Sequence, residues 1–111
     1  MVDLTFLKKF TKDDSKKMKR YISLYLDVAP KIVEEMQRNL HSKDWEQLRI
    51  NAHSLKPQAD FMGIDILKEE LIKIEEAVKT KNFDILENLF TTSLKIAADS
   101  EDILKEMLDK F

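Results

Sequence analysis

Apolar side chains recur along this chain at steps of three and four, the spacing that gathers them on one side of an α-helix. The pattern is cleanest in Trp45, Leu48, Ala52, Leu55, Ala59 and Met62. Asp44 followed by Gln47 makes a capping-box start for that helix, and Gly63 suits the left-handed residue that closes it. Upstream, Met18, Ile22, Tyr25, Ala29, Ile32, Met36 and Leu40 predict a longer helix, entered through TKDDSKK and left through HSKD. Pro30 falls inside it and predicts a kink. Downstream, Asp65 is expected to cap a helix carrying Leu67, Leu71, Ile74 and Val78. TKN is the next loop, with Asn82 as cap. A last helix follows, bearing Phe83, Leu86, Phe90, Leu94, Ala97, Leu104 and Leu108. Asp3 predicts the cap of a short leading helix with Phe6 and Phe10 on one side.

Four amphipathic helices joined by short loops can bury their stripes only against one another. The expected fold is all-α: an antiparallel up-down-up-down four-helix bundle with a short additional N-terminal helix, residues 1–111 forming one domain. Composition agrees. The 111 residues are enough for one core, 43% are apolar and 36% charged, and one glycine with two prolines leaves little turn chemistry for hairpins. A net charge of −2 gives no general reason to bind nucleic acid or an anionic membrane. With no cysteine, disulfides, thiolate catalysis and cysteine-ligated zinc are excluded. No apolar run approaches the ~20 residues of a membrane span, and MVDLTFLKKFTKDD does not read as a signal peptide. A cytoplasmic monomer is the expectation.

Candidate chemistry sits in the segment NAHSLKPQADFMG, residues 51–63. At about 100° per residue, His53 lies roughly 130° from the centre of the stripe running from Trp45 to Met62, so it is expected on the outside. Arg49, one turn before, and Lys56, one turn after, are its surface neighbours. A neutral exposed imidazole is a competent nucleophile toward phosphorus, and flanking cations would offset the charge of the product. By geometry alone an exposed histidine on a charged helix is most often merely solvated, and it takes further information to favour a reactive role. His41, near the end of the preceding helix, has no such surroundings. Ile50, Pro57 and Phe61 form a second apolar set beside His53. Two readings of it stand: packing beneath the first helix, or a docking patch for a partner.

The stretch AHSLK, residues 52–56, with Gly63 at the spacing of a later glycine, resembles the signature of histidine-containing phosphotransfer (HPt) domains. DLTFLKKFTKDD, YLDVAPKIVEEM and SKDWEQLRINAHSLK resemble the family's leading helix, proline-containing second helix, and loop with third helix. The resemblance implies a phosphorelay carrier. His53 would accept a phosphoryl group from the aspartyl phosphate of a response-regulator receiver domain and pass it to another receiver, those of a hybrid histidine kinase included. It further implies Lys56 as the cation near the phosphoryl oxygens and Gln58 as a further hydrogen-bond donor, while Arg49 and the apolar set Ile50, Pro57 and Phe61, read from their places beside His53, are the expected partner surface. No cofactor is implied and no metal in this chain, since magnesium belongs to the receiver, and no autonomous kinase activity is expected.

Pro57 departs from the family, which usually has glycine there. A helix continuous but kinked near residues 53–57 is expected, because the stripe persists through Ala59 and Met62. The departure keeps an alternative open, a non-phosphorylated HPt-like scaffold that binds a receiver or another signalling partner. A bundle metal site is set aside, because neither histidine is preceded by glutamate at Glu-x-x-His spacing.

Overall fold

The computed structural model describes residues 1–111 and is helical almost throughout. Helix α1 spans Thr5–Thr11, α2 Ser15–Ser42, α3 Trp45–Phe61, α4 Asp65–Lys79 and α5 Leu86–Leu108, with a 3₁₀ turn at Phe83–Ile85. Helices α2 to α5 form the antiparallel four-helix bundle, each packed on two neighbours in the cycle α2–α3–α4–α5, and α1 lies against α2. The molecule measures 43 × 20 × 19 Å. Its long dimension matches the roughly 42 Å rise of the 28-residue α2. Both prolines stand inside helices that continue past them: α2 through Pro30, and α3 through Pro57 to Phe61.

The core follows the apolar stripes closely, with instructive exceptions. On α3, Leu48, Ala52, Leu55 and Ala59 are buried, followed by Met62 at its C-cap, and on α4 Leu67, Leu71, Ile74 and Val78 are buried. On α2 the buried set is Met18, Ile22, Tyr25, Ala29, Val33, Met36 and Asn39, so the expected Ile32 and Leu40 are only half-buried. On α5, Ser93 and Ser100 are buried with Leu86, Phe90, Ala97 and Leu104, whereas Leu94 is exposed. The polar exceptions are satisfied locally. Ser93 Oγ donates to the Leu89 carbonyl at 2.8 Å, and Asn51 Nδ2 donates to Asn39 Oδ1 at 2.7 Å across α3 and α2.

Helix ends repeat this mixture. Asp44 Oδ1 accepts from the Gln47 backbone N–H at 3.3 Å, as its position predicts. Asp14 caps α2 by accepting from the Lys16 and Lys17 backbone N–H groups. Asp3 Oδ1 accepts from the Thr5 N–H and hydroxyl, although Leu4 holds the N-cap position itself. Asp65 is not a cap: it is the first residue of α4, behind Ile64. Asn82 likewise makes no capping bond, and the 3₁₀ turn after it carries the chain into α5. Gly63 adopts φ +68° and donates its N–H to the Asp60 carbonyl at 3.0 Å. The N-terminal strand of chain lies directly on it, with the Asp3 N–H donating to the Gly63 carbonyl at 3.2 Å.

Candidate functional site

The packing of α3 against α4 creates the site. Because the buried stripe of α3 faces inward, His53 is turned outward, its ring 67% exposed. Three residues on, Lys56 leaves the same side of the helix. Opposite both stands Glu75 of α4, whose side chain is only 8% exposed. His53 Nδ1 lies 3.0 Å from Glu75 Oε2, and Lys56 Nζ lies 2.8 Å from Glu75 Oε1. One buried carboxylate therefore braces two side chains of the neighbouring helix.

Electrostatics fix the protonation pattern. Burial acts to raise the Glu75 pKa, but the contacts with Lys56 and His53 and their charges outweigh it, and the carboxyl sits below its ordinary value. Glu75 is thus ionised and can only accept. The proton of its contact with the ring must therefore be on Nδ1, which leaves the lone pair of a neutral imidazole on Nε2. An exposed ring held in this tautomer is a nucleophile with one available nitrogen. Above the ordinary carboxylate range the brace is complete. It is lost only as pH falls through the lowered Glu75 pKa.

The remaining predicted residues divide. Arg49 pairs with Glu46 on the surface through Nη2 and Nε. Gln58 does not turn toward the ring: its Nε2 donates to the Ser54 carbonyl at 3.3 Å, one turn back on α3. Ile50 is 44% exposed. Phe61 is half-buried and meets Phe6, Phe10 and Tyr21 edge-on, with centroids 5.1 to 5.4 Å apart. It therefore packs against the first helix and still borders an apolar groove of ≈ 320 Å³ shared with Phe10, Tyr21, Leu24 and Pro57. On the other side of Pro57 an open, polar depression is bordered by His53, Ser54, Lys56, Asp60 and Lys68. His41 is exposed in the last turn of α2 and has no partner of this kind.

Glu75 is the residue that sequence reasoning missed. Its signal was present: it stands four residues after Leu71 and three before Val78, in step with buried positions. A charge at such a position asks for a partner. No helix of the molecule is long and apolar enough to cross a membrane.

A family model described as Hpt domain matches residues 20–111. No curated protein matches the chain at a significant level. Among solved structures, the crystal structure of histidine-containing phosphotransfer protein B (HptB) from Pseudomonas aeruginosa PAO1 is similar in fold. The likeness has a TM-score of 0.91 at 16% identity and covers 99% of this chain and 96% of that one.

Proposed function

The chain belongs to the Hpt domain family, whose members carry out histidine phosphotransfer in phosphorelays by interacting with receiver domains, and on that premise we propose that His53 is the residue that carries the phosphoryl group. The observation behind this assignment is the exposed ring whose Nδ1 is tied to Glu75. The Nε2 lone pair attacks phosphorus of a receiver's aspartyl phosphate. A P–N bond forms as the P–O bond to the aspartate breaks, and the carboxylate leaves with the bonding electrons. The ring, still protonated on Nδ1, becomes cationic, and the Glu75 carboxylate 3.0 Å away offsets that charge. Return to a second receiver runs the same step backward. Such transfer asks for in-line placement and charge compensation more than covalent help. Lys56 holds its end of Glu75 and lies on the side the phosphoryl group enters. The magnesium ion belongs to the receiver's carboxylates, and the domain works as a cytoplasmic monomer, serving receivers that include those of a hybrid kinase.

The test is transfer itself. Incubation with a phosphorylated receiver should give an acid-labile, base-stable label on this protein. No label with any receiver tried would leave the scaffold reading in its place. Glu75 supplies a second check. Glu75→Ala removes the acceptor for the Nδ1 proton and should slow acceptance about tenfold. Glu75→Gln keeps an acceptor for the Nδ1 proton but no charge to offset the cationic ring, so it should preserve the tautomer and recover only part of the rate. Ring ¹⁵N shifts should show mixed tautomers in the alanine variant alone, and an unchanged tautomer there would refute the bracing role.

The receiver docks over the aromatic side of His53, where Ile50, Pro57 and Phe61 continue into the exposed Phe6, Phe10 and Leu24. Phe61→Ala should weaken receiver binding about tenfold. Loss of its edge-on contacts should cost about 1–2 kcal/mol of stability without unfolding the bundle. Complete unfolding would assign the patch to the core instead.

A further inference from the structure

Two cations border the polar depression beside His53, and they are held differently. Lys56 is bound to Glu75 Oε1, an oxygen buried from water that the His53 ring does not reach, so withdrawing the ammonium would leave it without a partner. Lys68 of α4 is bound to Asp60 Oδ1 at 3.0 Å, and that carboxylate is 54% exposed. Water can replace the lysine there at little cost. Arg49, the remaining cation near His53, is forked onto Glu46 and does not border the depression. In the unmodified protein every one of these cations already has a carboxylate partner.

A phosphoryl group on Nε2 brings close to two negative charges into this depression. Some ion pair must then open, or the new charge is left to solvent. Building on His53 as the acceptor, we propose that Lys68 is the mobile cation of the site: it exchanges Asp60 for the phosphoryl oxygens while Lys56 stays on Glu75. The depression of ≈ 520 Å³ has room for the group and for the moving ammonium. Asp60 lies seven residues beyond His53 on α3, about 10 Å of helix rise. The move is therefore a swing of the flexible four-carbon stem along the groove between α3 and α4. Asp60 is the competitor that holds Lys68 off the unmodified ring and takes it back once the phosphoryl group has left.

Competition of this kind gives two single substitutions opposite signs. Each protein is equilibrated with the same phosphorylated receiver, and the fraction of label on His53 is read, with thermal melts verifying that each variant is folded. Lys68→Met should lower the equilibrium share of phosphoryl group on this protein about three- to fivefold. Asp60→Asn, which frees Lys68, should raise it about twofold, and the double variant should behave as Lys68→Met. Single variants that shift the same way would mean that the pair matters only for folding, and the proposal fails. It fails too if neither moves while wild type is labelled, an outcome that leaves His53 as the acceptor. Absence of label on His53 in wild type would overturn both.

Discussion

Replacing His53 by glutamine should abolish phosphoryl acceptance altogether while leaving the helical content and melting temperature nearly unchanged. The side chain is 67% exposed, so its replacement opens no buried cavity. What disappears is the only nitrogen lone pair the site displays. A glutamine amide nitrogen is not a nucleophile, and Lys56 has its ammonium on Glu75. Glutamine can still donate to that carboxylate, which keeps the buried charge accompanied and isolates the chemical loss from a structural one. The measurement is label transfer from a phosphorylated receiver at matched concentrations, beside a circular dichroism melt. Label persisting in this variant would overturn the site assignment. A variant that binds the receiver with undiminished affinity yet takes no label is the expected pattern.

Gly63→Ala should cause the largest loss of stability available from a single methyl group. The residue sits at φ +68°, where an L side chain is disfavoured by about 1–2 kcal/mol. The neighbourhood adds to this, because a Cβ there would stand 1.8 Å from the Asp3 carbonyl oxygen. Either the turn between α3 and α4 deforms, or the N-terminal strand lifts away and exposes the buried Leu4 and Leu7. About 3 kcal/mol is expected in total, which for a domain of this size lowers the melting temperature by roughly 10–20 °C. A melt unchanged within a few degrees would show that the strand does not need the close approach. Receiver affinity should fall as well, since α1 presents Phe6 and Phe10 beside Phe61.

The fold was legible from the stripes alone, because helices whose apolar faces span several turns have few ways to bury them. Finer choices were not. Ala29 to Met36 is a step of seven, which divides as three then four through Ile32 or four then three through Val33. Either division keeps a helical stripe, and only the rotation of α2 against its neighbours selects Val33. The same ambiguity between Phe90 and Ala97 hides the burial of Ser93 in place of Leu94. Asn39 was missed because its burial depends on one amide from another helix, Asn51. Turn chemistry was legible only at Gly63. The other reversals place Lys12 and Asp13, Lys43, and Lys81 at positive φ, a conformation that lysine does not advertise.

At the site, the outward direction of His53 follows from the phase of α3 and was readable. Glu75 was readable only as a charge in step with buried positions; that it is the glutamate of KEELIKIEEAVK which meets His53 and Lys56 is decided by how α3 and α4 are set against each other. Gln58 shows the converse. Its position near the motif suggested a role, and the backbone carbonyl of Ser54 occupies its amide instead.

The Asn39–Asn51 contact has a consequence outside the core it occupies. Asn51 precedes His53 by two residues, and its amide is buried against α2. Rolling α3 about its long axis by even a fraction of a turn would tear that amide pair apart and leave two buried amides unpaired. An interior polar latch thereby sets the compass bearing of a ring on the exterior. A visiting protein meets an imidazole already aimed, and need not spend part of its binding strength on turning it.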